Sequence, residues 1–160
     1  VGIKKGKAGK PIEFGRKVEI TEVENKIISD YKILEGHLSD SENLPQIVDR
    51  HKERFQKPPD IVIHDRGGWT PHIEEELQEK GVKKVSIPAK GKRSEEREKF
   101  EKQKWFKKAQ RFRAGSEGTI SKLKRRHKLD RCLYKGEEGM NQWIGWGVIT
   151  SNLLTIARQT

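Results

Sequence analysis

An α/β fold with a mixed sheet is what this sequence predicts, and three observations carry it. Residues 16–35 hold two β-patterned runs separated by a turn. Residues 60–87 read as strand, helix, strand. From residue 94 onward the apolar residues recur at helical spacing. A hairpin plus a βαβ unit combines antiparallel and parallel pairing, and helices then flank the strands.

Residues 1–12, VGIKKGKAGKPI, are rich in Gly and Lys and suit an extended basic arm. In 16–24 and 26–35, Val18, Ile20 and Val23 and then Ile27, Ile28, Tyr31, Ile33 and Leu34 form the hairpin, with Glu24-Asn25 at the turn. Ser39-Asp40-Ser41 offers a helix N-cap, and Leu44, Ile47, Val48, His51 and Phe55 follow at helical spacing until Lys57-Pro58-Pro59. Residues 60–64 form a short buried strand. Thr70 caps the next helix with Pro71 at its first position, Glu74, Glu75 and Glu76 enrich its first turns, and Lys80-Gly81 closes it. Residues 82–87 return as a strand, parallel to the first through a right-handed crossover. Helices are expected over 94–112, 116–128 and 139–157, the last apolar nearly all round. Trp105, Phe106, Phe112, Trp143 and Trp146 are expected in the core.

The 160 residues suit one domain. With 31% hydrophobic and 37% charged residues, a folded centre with an extended charged periphery is expected. The net charge of +11 is localised. Residues 90–135 hold 18 Lys and Arg against 6 Asp and Glu, whereas the rest of the chain holds 17 against 18. That block points to a polyanion, above all nucleic acid, although a solvated helical face has the same composition. Cys132 is alone, which excludes a disulfide framework or a cysteine zinc site and fits a cytoplasmic setting. The apolar stretch Trp143 to Ile156 is too short and polar to span a bilayer. The five histidines show no zinc-ligand spacing, and His64 is read as local polar packing on the strand face opposite Asp65.

Two acids stand out. Asp65 follows Ile61-Val62-Ile63 at the carboxyl end of its strand, where α/β sheets gather ligands. Gly67-Gly68 allows a tight turn and room for a bulky substrate. A lone Asp-Arg-Gly also serves as an ordinary turn. Glu117 lies in a strongly basic segment, with Arg113 four residues before it and Lys124 seven after, on one helical face. An ordinary Arg–Glu pair has the same spacing. Gly115 and Gly118 suggest that another backbone approaches. Hard carboxylate oxygens suit Mg²⁺ or Mn²⁺, and Arg113 and Lys124 suit phosphate. Trp69 is the aromatic expected to be exposed and to meet a base.

HDRGGWTP, GVKKVSIPAKGK, RFRAGSEGTISKLKRRHKLDRC and GMNQWIGWGVITSNLLTIAR together resemble the C-terminal part of the catalytic domain of DDE transposases from bacterial insertion sequences. The resemblance implies an RNase H-like fold, with Asp65 and Glu117 as catalytic, metal-ligating acids. It implies Arg113, Lys124, Arg125, Arg126 and Trp69 at DNA, a Mg²⁺ or Mn²⁺ cofactor, transposon ends and target DNA as partners, and a homo-oligomer in the bacterial cytoplasm. Where such transposases often place a Tyr three residues before the Arg, this chain has Gln110. The first acid of the triad, expected on a strand before Thr or Ser, has no match. Asp30 and Asp40 are the upstream candidates before Asp60, and neither has that setting. The expectation is therefore a single, partial catalytic domain over 1–160, with an arm (1–12), a sheet-forming part (13–92) and C-terminal helices (93–160). Its first acid would lie upstream. The chain alone would bind DNA and cut little. A non-catalytic basic binding module and an RNase H-like nuclease remain alternatives at this point.

Overall fold

The computed structural model describes residues 2–4, 12–14, 16–34 and 39–159. The chain divides into two compact units, Ser39–Ile120 and Val1–Leu38 with Ser121–Thr160. Among the described residues the architecture is mixed α/β: an antiparallel hairpin, a parallel strand pair and five helices. It is consistent with an RNase H-like fold.

In the unit Ser39–Ile120, helix α1 (Asp40–Phe55) starts where expected. Ser39 accepts from the Glu42 amide while the Glu42 carboxylate accepts from the Ser39 amide, a reciprocal capping box that satisfies two otherwise orphaned donors. The helix ends on Gln56 in a left-handed conformation (φ 56°), just before Lys57-Pro58-Pro59. Strand β5 (Ile61–Ile63) pairs in parallel with β6 (Lys84–Ser86), joined through α2 (Ile73–Glu79). Helix α2 begins two residues later than the Thr70-Pro71 signal suggests. The Thr70 carbonyl accepts from Ile73 in a separate turn, and His72 takes the cap position without a side-chain bond. Its end is as read: Gly81 has φ 95°, its amide donates to the Gln78 carbonyl, and the Val82 amide reaches back to Leu77, a Schellman closure. Leu44 and Val48 of α1, Ile73 and Leu77 of α2, and Val82, Val85 and Ile87 form the core here, with Ile47, Val62 and Trp69 against it.

The expected helices over 94–112 and 116–128 are divided differently. A short helix α3 (Glu95–Glu101), capped by Ser94, is followed after Lys102-Gln103 by one 23-residue helix, α4 (Lys104–Arg126). The break falls where Phe100, Trp105 and Phe106 pack edge to face. It also falls where Glu101 is held by the Ala89 amide and by Arg97. The glycines at 115 and 118 each cost a helix roughly 1 kcal/mol but do not interrupt it.

In the other unit, β1 (Gly2–Lys4) and β2 (Ile12–Phe14) form an antiparallel pair, so part of the expected arm is a strand. Residues 5–11 of that arm lie outside the described residues, as do Glu35 of the predicted second hairpin strand and His37. The hairpin is β3 (Lys17–Glu22) with β4 (Ile28–Leu34), and Asn25 and Lys26 take positive φ at its turn. Helix α5 (Gly136–Ile156) contributes Ile144 and Val148 to a second core with Ile28 and Leu123. Asn152 bonds the Ile28 amide and carbonyl together. The expectation of a buried Trp146 is overturned: it is 63% exposed, and Ile149, Leu153 and Ile156 on the same side are also exposed. A pattern that is apolar all round does not reveal which side is covered. Among the described residues no helix is long and apolar enough to cross a membrane.

Leu77 has no exposed surface. Leu77→Ala is expected to cost about 2–5 kcal/mol, measured by denaturant titration, because it strips packing from the core and leaves a cavity. Leu153→Ala, at an exposed position, is expected to change stability by less than about 0.5 kcal/mol.

Candidate active site

The site is built where β5 ends. Asp65 caps a single 3₁₀ turn, Arg66–Gly68, and its Oδ1 accepts from the Gly67 amide at 2.7 Å. Neither Gly67 nor Gly68 has positive φ, so the turn itself does not demand glycine, contrary to the simplest reading of Gly-Gly. Close approach does. A β-carbon on Gly68 would lie 2.5 Å from Leu44 Cδ1 and 2.8 Å from His64 Nδ1. One on Gly67 would lie 2.6 Å from Asp40 Oδ2 and 2.7 Å from Asp65 Oδ1. The two glycines let α1 and the strand tip close on each other instead of leaving space for a substrate.

Helix α4 supplies the opposite wall. Phe106 and Ala109 are buried, which turns Gln110, Arg113 and Glu117 of the same helical face toward the strand ends. Gln110 Nε2 donates to the carbonyls of His64 (3.2 Å) and Ser86 (2.8 Å), and lies 3.0 Å from Ser86 Oγ. It ties α4 to the ends of both parallel strands, the place where related transposases were expected to carry a Tyr.

One turn further, Arg113 bridges the two predicted acids. Its Nη2 donates to Asp65 Oδ2 at 2.7 Å and its Nη1 to Glu117 Oε1 at 2.9 Å. Both oxygens sit on the fork of one planar guanidinium, so they are no more than roughly 8 Å apart. Side-chain exposures of 33% for Arg113, 42% for Asp65 and 74% for Glu117 leave both carboxylates open to solvent. Beside Glu117, a β-carbon on Gly118 would meet nothing within 4 Å. The expected close backbone is therefore absent there, and the glycine keeps the flank of the acid open.

His64 is not simply packed away on the far strand face. Its Nδ1 lies 3.2 Å from Asp65 Oδ1 and 3.2 Å from the Asp65 carbonyl oxygen. Ligand atoms of Asp40, His64 and Asp65 all lie within 4.8 Å of one another. Sequence reading missed Asp40 and His64 as neighbours of Asp65. Topology held the clue: α1 runs into β5 through a short connection, so the start of α1 lies at the end of the strand where Asp65 stands.

The other predicted residues are placed as follows. Trp69 is half-buried against the core of its unit and is not the exposed aromatic expected. Lys124, Arg125 and Arg126 are exposed in the last turn of α4, within the other unit. The Arg125 guanidinium is turned onto Ser121 Oγ, with Nε at 2.9 Å. In that unit burial lowers the pKa of His127, and Lys122 and Arg126 lower it further. Part of the basic block is internal: Arg97 holds Glu74 (2.6 Å), Glu101 (3.0 Å) and the Ile87 carbonyl (2.6 Å). Lys90 Nζ donates to the Gly67 carbonyl at 3.1 Å, which adds a cation at the glycine turn.

The family described as the transposase DDE domain matches residues 76–157, just over half of the chain. The chain belongs to this family. The matched span contains Arg113, Gln110 and Glu117, whereas Asp65, His64 and Asp40 precede it. No curated protein and no solved structure gave a match. Membership makes the function transposase-type and implies DNA as partner and the use of divalent metal.

Replacing Gln110 by Ala is expected to cost about 1–3 kcal/mol, the range for stranding buried hydrogen-bond partners. Urea unfolding of the variant measures it, and an unchanged midpoint would show that Gln110 does not anchor α4.

Proposed function

We propose that this chain is part of a transposase catalytic domain, spanning residues 1–160, whose activity is metal-dependent cleavage and joining of DNA phosphodiesters. The observation that carries the reading is the Arg113 bridge. It brings a strand-tip carboxylate from β5 and a helix carboxylate from α4, 52 positions apart in the chain, onto one guanidinium.

The donor chemistry fits the cation that the family implies. Asp65 and Glu117 offer hard, solvent-accessible carboxylate oxygens, the type that Mg²⁺ and Mn²⁺ take. When bound, such a cation activates a water or 3′-hydroxyl and stabilises the leaving oxygen. The protein's own part is positional. Gly67 fixes Asp65 Oδ1, Arg113 fixes Asp65 Oδ2 and orients Glu117, and Gln110 sets the height of α4 on the strand ends. Arg113 keeps the neighbouring carboxylates from repelling each other and offers a bidentate donor to phosphate. Lys124, Arg125 and Arg126 supply sequence-independent attraction to the DNA backbone. Trp69, packed on the core, stiffens the glycine turn and presents its remaining face to DNA.

The chain is expected to bind duplex DNA with log affinity falling linearly in log salt concentration. Replacing Lys124, Arg125 and Arg126 together by Ala lowers that slope by about 0.9 for each phosphate that is no longer neutralised. Glu117→Gln leaves binding intact and abolishes any Mn²⁺-dependent cleavage. Cleavage that persists in Glu117→Gln, read on labelled DNA, removes Glu117 from the site.

A further inference from the structure

Helix α1 brings a third carboxylate to the site. Asp40 occupies the first turn of α1, and its Oδ2 and Asp65 Oδ1 flank one point in space. The β-carbon that Gly67 lacks would stand 2.6 Å from the first and 2.7 Å from the second. With His64 Nδ1, these atoms fall within 4.8 Å of one another.

An acid in the first turn of a helix has an ordinary explanation, since it stabilises the helix dipole by a few tenths of a kcal/mol. That accounts for a carboxylate at position 40 but not for its direction. Pointing Oδ2 at another carboxylate costs repulsion, which a partly exposed Asp avoids by taking another rotamer. Gly67 is what makes the approach possible, since any side chain there would fill the gap.

The two oxygens of Asp65 also face different partners. Oδ2 is on the Arg113 fork shared with Glu117, while Oδ1 is on the side of Gly67, His64 and Asp40. A carboxylate with one oxygen toward each of two acids can be shared between them, as two-metal sites require.

We propose that Asp40 is a third carboxylate ligand for the divalent cation at Asp65, on the Oδ1 side, with His64 Nδ1 as a further donor. An imidazole beside two carboxylates favours Mn²⁺ over Mg²⁺. The inference rests on the metal-dependent reading above and adds to it a ligand from outside the matched family span.

The test is Mn²⁺ binding to the full chain by isothermal titration calorimetry, without DNA. Asp40→Asn and Asp65→Asn are each expected to weaken Mn²⁺ binding by about tenfold or more, the scale seen when a metal site loses a supporting group. Glu53→Gln, an exposed acid on the same helix, is expected to leave it unchanged. Wild-type affinity in Asp40→Asn, with loss in Asp65→Asn, overturns the role of Asp40 and leaves the metal-dependent reading standing. A wild-type chain that binds no Mn²⁺ overturns both. Paramagnetic broadening in the wild-type chain does not depend on how a variant folds. Mn²⁺ is expected to broaden the Gly67 amide and His64 ring resonances first, and broadening centred away from them overturns the proposal.

Discussion

Asp65 is held at both of its oxygens, and the site takes its form from that constraint. The Gly67 amide fixes one and the Arg113 guanidinium the other, at 2.7 Å each. For both bonds to exist, three things must hold. The strand must end one residue before Asp65, the glycine turn must fold back under α1, and α4 must cross the strand ends at the right height. Gln110 secures the last of these through the carbonyls of His64 and Ser86. The parallel pair β5–β6, which is only three residues long on each side, serves chiefly to present that end.

The magnitudes separate what holds the fold from what places the acids. Ion pairs as exposed as Arg113 with Asp65 and Glu117 contribute about 0–1 kcal/mol in water. A single buried Leu or Ile contributes about 1.5–3 kcal/mol, and Leu44, Ile73, Leu77 and Ile87 are all at or below 2% exposure. The apolar cluster therefore stabilises this unit, and the Arg113 bridge orients side chains on it. A bridge of that strength can be exchanged for a cation or a phosphate without unfolding its supports.

Much of the fold was legible because local rules agreed with one another. The Ser39 cap, the Lys80-Gly81 stop and the Ile61-Val62-Ile63 run each have one dominant physical reading, and each falls within a residue or two of its expected place. The Arg113–Glu117 spacing was legible for the same reason, since residues four apart on a helix meet. The errors arose where a pattern fits two outcomes. The glycines at 115 and 118 suggested a helix boundary, but the chain broke at Lys102-Gln103, where aromatic packing and the hold on Glu101 decide. Trp146 is apolar but exposed. Asp40 and His64 were readable only through topology, because neither has a distinguishing neighbour in sequence. Their proximity to Asp65 depends on Gly67, whose importance lies in what approaches it and not in its own backbone angles.

Asp65 as the shared carboxylate of a metal site is the centre on which the other roles depend. The most direct measurement is an anomalous difference map from crystals of the chain grown in Mn²⁺. A peak is expected within coordination distance of Asp65, about 2–2.5 Å for an oxygen ligand of such a cation. Ordered Mn²⁺ bound elsewhere, with Asp65 still paired to Arg113 and no peak beside it, would refute that role.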